Sequence, residues 1–185
     1  MSRSLNIIHP ILSTTKVWNT SGSCTATLTG HQGSIRCLHN WTCGSNEAII
    51  SGGDDGVVRV WRSHSVRKRG STARRKLRWT SVILVGHNDA VSCLGLLDGL
   101  GVLVSGSLDC SIRFWDLRAV DATTATSTGR RQSAQATVRP CACHEQQDAV
   151  ECLCVLPASD SDPSQQRVVT ASQSVVMWRV RCTRV

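Results

Sequence analysis

The sequence predicts an all-β protein assembled from copies of one short unit, and three observations carry that expectation. Residues 51–61, SGGDDGVVRVW, align without a gap with residues 105–115, SGSLDCSIRFW, at an offset of 54. Upstream, GHQGSIRCL at 30–38 aligns with GHNDAVSCL at 86–94 at an offset of 56. A repeat period of this size marks an architecture of stacked units, each burying its core against its neighbours. Within the copies, VVRVW and SIRFW place apolar residues on either side of an Arg, the period-2 pattern of a half-buried strand. No stretch shows helical periodicity.

Each unit reads in one order: Gly-His, a short strand, a variable loop, a strand ending in Ser-Gly, a tight turn with Asp, and a strand ending in Trp. Asp55-Gly56 is a favoured tight-turn pair. In the first unit, residues 24–30 are expected to form the outer strand, 34–41 the innermost, 47–53 the second and 57–61 the third. A weaker third copy follows, HEQQDAVECL at 144–153 with two extra residues and VVTASQSVVMW at 168–178 with two fewer. Ahead of the first copy, TKVW at 15–18 reads as the last strand of a truncated unit.

The composite pattern resembles the WD-repeat (G-protein beta-subunit-like) β-propeller family, whose unit opens near Gly-His and closes on Trp-Asp. Gly30-His31 and Gly86-His87 match the opening, and Trp115-Asp116 matches the close in full. Trp18-Asn19, Trp61-Arg62 and Trp178-Arg179 keep the Trp alone. The resemblance implies a WD-repeat β-propeller fragment, an open arc of about three four-stranded blades plus a partial one. The corresponding segments are 1–14 as lead-in, 15–23 as the last strand of a partial blade, 24–61 as blade 1 and 62–79 as a basic inserted loop. Blade 2 then spans 80–118, a flexible loop 119–136, a degenerate blade 3 137–180, and a tail 181–185.

The resemblance further implies a hydrogen-bonded set inside each blade: His31, Ser51, Asp55 and Trp61 in the first, His87, Ser105, Asp109 and Trp115 in the second. The physics agrees, because a buried carboxylate, imidazole and indole N–H each cost free energy unless partnered. An Asp-His-Ser set also invites a nucleophilic reading. Its repetition argues for structure instead, and neither a Gly-x-Ser-x-Gly elbow nor a phosphate-binding Gly loop is present. No catalytic residue and no cofactor are expected. In the third copy Cys143 replaces the Gly before His144, and the turn Asp is missing across Ala171-Ser172-Gln173-Ser174, so this blade is expected to lack the full set.

Ten Cys in 185 residues raise the questions of disulfides and metal. No secretory signal is evident and no apolar run approaches a membrane span. The expectation is a soluble intracellular protein, cytoplasmic or nuclear, with reduced thiols. Cys141-Ala-Cys143-His144 and Cys152-Leu-Cys154 hold enough donors for tetrahedral zinc. Yet Cys152 aligns with Cys37 and Cys93 in VECL, IRCL and VSCL, and a Cys-x-Cys pair is tighter than the usual knuckle. These thiols are read as small packing residues of inner strands, and no metal is expected.

The net charge of +8 sits in one place. Residues 62–78, RSHSVRKRGSTARRKLR, carry eight of the 21 basic residues and no acid, so the other thirteen balance all 13 acids. Arg67, Lys68, Arg69, Arg74, Arg75, Lys76 and Arg78 form the candidate partner-binding or nuclear-import loop. This loop, the Ser/Thr/Ala-rich segment after Trp115 and PASDSDPSQQ at 157–166 should leave the blades from one face. The function expected is a protein–protein interaction scaffold within a multi-protein complex. The alternative is an RNA- or ribonucleoprotein-associated component binding through 66–79. Other proteins are the expected partners, with self-association as a way to close the propeller, nucleic acid less favoured, and no membrane.

Overall fold

The computed structural model of the chain describes residues 5–7, 13–43, 46–66, 76–97, 100–120, 137–157 and 165–181. These form four antiparallel sheets in chain order. The first holds β1 (Leu5–Ile7), β2 (Thr14–Trp18) and β3 (Cys24–Thr29). In the second, β4 (Ile35–Cys43), β5 (Asn46–Gly53), β6 (Val58–Val66) and β7 (Lys76–Leu84) pair in sequence. The third runs β8 (Val91–Leu97), β9 (Val102–Ser107), β10 (Ser111–Asp116). A two-residue strand, β11 (Thr137–Val138), then lies parallel on β7, making the second sheet five-stranded rather than four-stranded. The chain returns as β12 (Ala142–Glu145), the outer strand on β10. The last sheet is β13 (Cys152–Leu156), β14 (Gln165–Ala171) and β15 (Val175–Arg181).

The pairing corrects the expected strand assignment. Residues 24–29 do not edge the first complete sheet; they pair with β2, and β7 takes the outer place on β6. Each sequence unit therefore straddles two sheets: its opening strand closes one sheet before Gly-His crosses to the inner strand of the next. The physical effect is a latch, since the chain between neighbouring sheets is held on both sides. The expected loop 62–79 is also shorter. Strands β6 and β7 continue through Val66 and from Lys76, with nine residue pairs from Val58↔Leu84 to Val66↔Lys76. Arg67, Lys68, Arg69, Arg74 and Arg75 lie outside the described residues. The segment after Trp115 begins as one helical turn, Leu117–Val120, whose Leu117 and Val120 are fully buried. That apolar pair anchors the start of what composition presented as a solvated loop.

Three apolar layers join the four sheets. Val17 and Leu28 pack with Ile49 and Trp61 between the first and second sheets. Val58, Val60, Val91, Leu103 and Trp115 fill the space between the second and third. Cys93, Val104, Ile112, Val150 and Val168 join the third and fourth, with Trp178 and Val180 against them. Each closing Trp thus faces the preceding sheet. The burial of one Leu- or Trp-sized side chain contributes about 2–3 kcal/mol, so these layers dominate stability.

The Ser-Gly pair divides two tasks. The Ser points into the blade, while the Gly makes room for the next sheet. A Cβ on Gly106 would sit 2.5 Å from Val150 Cγ1 and 2.6 Å from Cys93 Sγ. Gly52 meets Val91 and Cys37 in the same way. Gly106→Ala is therefore expected to cost about 2 kcal/mol by overpacking, with part regained when Val150→Ala is added. Urea unfolding checks this; a single variant as stable as the parent would contradict close packing here.

The tight turns differ in one respect. Gly56 takes φ +69°, in the left-handed region that glycine tolerates. At the equivalent place Cys110 adopts φ +63°. Cys110→Gly is expected to raise stability by about 1 kcal/mol by removing that strain, read as a higher denaturant midpoint. A lower midpoint would mean that the thiol contributes more than the backbone loses.

Candidate functional site

Two buried polar sets stand at equivalent places. In the second sheet His31, four residues before the inner strand, is 4% exposed. Its Nδ1 lies 2.9 Å from Asp55 Oδ1 and its Nε2 2.7 Å from Ser51 Oγ. Trp61 Nε1 donates to the same Ser51 Oγ at 2.8 Å. In the third sheet His87 lies 2.9 Å from Asp109 and 2.7 Å from Ser105 Oγ, and Trp115 Nε1 donates to Ser105 at 2.9 Å. All eight residues named from the sequence come together, four in each sheet.

The proton arrangement follows. With Nδ1–H donated to the carboxylate, Nε2 accepts from the Ser hydroxyl, whose oxygen accepts from the indole. Each donor then has its acceptor, and Ser51 and Ser105 are fully buried. Backbone amides complete the carboxylates: Gln32 N–H and Val57 N–H donate to Asp55, Asn88 N–H and Ser111 N–H to Asp109. A nucleophile needs access. These hydroxyls are fully buried; the sets tie strands of one sheet together and hold the turn against the Gly-His loop.

The Arg of the repeated strand pattern belongs to this environment. Arg59 Nη2 donates to Gly30 O at 2.6 Å, and its guanidinium lies 5.7 Å from the Trp61 ring centroid. A Cβ on Gly30 would lie 2.9 Å from Arg59 Nη1 and 3.1 Å from Trp61 Cη2, so the loop backbone packs directly on these two side chains. Gly86 stands in the same relation to Arg113.

Burial lowers the His31 and His87 pKa values below 6.5, against the raising effect of their carboxylate partners. Burial acts to raise Asp109, but donation from Ser111, Asn88 and His87 outweighs it and brings the carboxyl down to about 2. Asp55 is lowered too, its amide and His31 donors outweighing burial. For the His residues the folded pKa is depressed, so the unfolded chain binds more protons below 6.5 and stability falls as pH drops through that range. For the Asp residues stability is present above 3.8 and is lost toward about 2. The expected profile is two-stepped, with a first loss as pH falls below about 6.5. Unfolding free energies across that range check it; a flat profile would contradict neutral buried imidazoles.

The third copy departs from its alignment. His144 does not join a set; it stacks on Trp178, with ring centroids 5.4 Å apart, and meets Phe114 edge-on. Gln146 takes the imidazole's place, its Nε2 donating to Thr170 Oγ1 at 2.8 Å, while Trp178 Nε1 donates to the same oxygen at 3.1 Å. Alignment forward from His144 does not find this Gln–Thr–Trp set. Counting back four residues from Val150, the counterpart of Ile35 and Val91, finds Gln146 directly.

The cysteines divide by position. Cys37 and Cys93 face the following sheet, and burial pushes their thiols up to about 12 and about 11. Cys152, aligned with them, is exposed, as are Cys141, Cys143 and Cys154. The expectation of a packed thiol fails for Cys152 because no following sheet covers it among the described residues. Among those residues no group of three or more His, Cys, Asp or Glu is placed to hold a metal ion. No helix of the described residues is long and apolar enough to cross a membrane.

A cleft of about 580 Å³ opens where the tight turns meet the inner strands. Ser34, Ile35, Arg36, Asp54, Ser92, Leu108 and Glu151 line it. Arg36 and Ser92 stand at register irregularities between Ile35 and Cys37 and between Val91 and Cys93. A bulge of this kind re-aims one side chain out of the ladder. Arg36 pairs with Asp54 across the rim. The sequence signal of this rim is the extra residue between the matched apolar residue and the Cys. Of the basic segment, Arg78 is exposed on β7, Lys76 begins that strand, and Arg62 lies over the Trp41 ring at 4.8 Å.

Residues 22–62 and 79–116 match the family model described as WD domain, G-beta repeat. The matched stretches begin just before (22) or within (79) the outer strand of one sheet and end in the third strand of the next. The chain is 36% identical over 72 residues to Protein SPIRRIG of Arabidopsis thaliana, covering 39% of this chain and 2% of that protein. It is 38% identical over 84 residues to human WD repeat- and FYVE domain-containing protein 4, covering 44% and 2%. It is 29% identical over 113 residues to Ribosome biogenesis protein YTM1 of Eremothecium gossypii, covering 57% and 24%. The chain thus spans from a fiftieth to about a quarter of the length of these relatives. With the polar sets, the antiparallel sheets and the family match in agreement, the two complete units are WD repeats, and the described residues have the fold of a WD40 β-propeller fragment.

Proposed function

We propose that this chain is a non-enzymatic scaffold that binds other proteins through the rim cleft. One observation carries the proposal. At three equivalent positions, each following the first apolar residue of an inner strand, the rim presents Arg36, Ser92 and Glu151. The turn positions before Asp55 and Asp109 present Asp54 and Leu108. The backbone frame repeats while the chemistry on it varies. That is what recognition of an irregular protein surface requires, whereas the repeated His, Ser, Asp and Trp are buried and fully partnered.

The test is quantitative affinity purification of the intact chain against a variant carrying Arg36→Glu and Glu151→Lys. Co-purifying proteins are expected to fall by about tenfold, the effect of about 1.4 kcal/mol, with the melting temperature unchanged. Undiminished recovery would exclude the cleft as the docking surface.

A second reading has its own support. Eight basic residues fall within 62–78, and the relatives aligned over more than half of this chain include proteins named for ribosome biogenesis. On that reading the segment contacts an RNA backbone in a ribosome-assembly particle, with a nuclear location. Binding to a single-stranded RNA should then fall by orders of magnitude between about 50 and about 200 mM salt. Salt-independent binding, or none, would set this reading aside.

A further inference from the structure

The outer edge of the second sheet is taken up only in part. Strand β7 runs from Lys76 to Leu84, and β11 pairs with it at Ile83 and Leu84 alone. On the same side Val85 N–H donates to Val138 O at 3.1 Å. Backbone groups of a strand point to alternate edges, so the N–H and C=O of Leu77, Trp79 and Ser81 point the same way as those of Val85. Among the described residues no strand pairs with residues 77–82 on that edge. Neighbouring sheets pack on the faces of this sheet, so a further blade would leave the edge open. Directly opposed residues share a face. His64 and Arg78 are opposed, both are exposed, and neither has a charge partner among the described residues. Arg62 precedes them on that face, over the Trp41 ring. Ala48 stands opposite Arg62, so Glu47 beside it falls on the other face. That other face of the ribbon offers Leu77, 60% exposed, and the partly exposed Trp79. Residues 62–78 hold eight basic residues and no acid.

We propose that residues 77–82 of β7 accept, as an added strand, an extended segment of a partner protein in which acidic residues alternate with apolar ones. The backbone of that segment takes up the groups that β7 leaves unpaired, as β11 does directly beyond them. Its acids fall on the face of Arg78, and its apolar side chains on the face of Leu77 and Trp79. Positive charge along an edge repels a second copy of the same strand and admits a strand of opposite charge. An RNA would answer the charge, but it would leave the ladder unpaired and Leu77 exposed. The site does not involve the rim cleft and does not rest on it.

Fluorescence anisotropy of the whole chain with a labelled peptide of alternating Glu and Val is the experiment. The peptide is expected to bind. Leu77→Pro removes one outward N–H and obstructs strand addition without removing a bond to β6, and is expected to weaken binding by about tenfold or more. Arg78→Glu is expected to weaken it by about fivefold or more, and Arg36→Glu at the rim to leave it unchanged. Two further peptides make the test independent of how the variants fold. Methylating the amides of the Glu residues, or those of the Val residues, removes the N–H groups along one edge of the peptide. One of the two is expected to lose binding while the other keeps it. Binding kept by both would mean attraction by charge alone and overturn the proposal. So would no binding of the unmethylated peptide, or uptake of a single-stranded RNA of the same net charge in its place.

Discussion

Trp115→Ala is expected to destabilise the chain by about 4 kcal/mol, the upper range for removal of a large core aromatic. Trp115 is fully buried between the second and third sheets. Its indole N–H is also one of the two partners of Ser105 Oγ. Truncation therefore opens a cavity between sheets and leaves the Ser without its donor. Trp115→Phe separates the two contributions: it keeps most of the volume and loses the hydrogen bond, with an expected cost of about 1–2 kcal/mol. The corresponding Trp178 is only partly buried, so Trp178→Ala is expected to cost roughly half as much. Equilibrium denaturation of the three variants decides. Equal losses at Trp115 and Trp178 would mean that the last sheet is as well covered as the third.

Asp109→Ala carries the second large effect, about 3 kcal/mol. The carboxylate accepts from His87, from Asn88 and Ser111 N–H and from Ser111 Oγ, with Arg113 4.0 Å away. Its removal strands a buried imidazole and the amides of the Gly-His loop. The variant should also lose the step in stability expected as Asp109 protonates, because the group held at about 2 is gone. Asp109→Asn keeps one acceptor oxygen and should recover part of the loss. If Asp109→Ala proved neutral, the polar set would not be holding the loop, and the case against catalysis at His87 would lose its main physical support.

Much of this fold is legible in the chain because it is repeated. A Gly-His, a Ser-Gly, an Asp in a tight turn and a Trp at the strand end recur with one spacing, and repetition separates requirement from accident. Residues that must satisfy one another across a sheet, such as His31 and Asp55, sit 24 positions apart, and one copy alone would not have linked them. The third unit was misread where repetition weakens. His144 has the expected identity, yet Gln146 has the expected position, and hydrogen-bond geometry follows position.

Sequence alone determined the strand content, the placement of the two complete units, the members of both polar sets and the concentration of charge in 62–78. Each depends on local pattern or on pairwise complementarity that the repeats display. Tertiary structure alone decided which sheet each outer strand closes, since β3 and β7 are equally strand-like and only pairing assigns them. It also decided that Arg36, Ser92 and Glu151 converge on one rim, because bulges and the stacking of separate sheets bring together residues more than a hundred positions apart. Burial of the aligned thiols was decided the same way. Cys37, Cys93 and Cys152 share a sequence context, and what distinguishes them is whether another sheet lies against them.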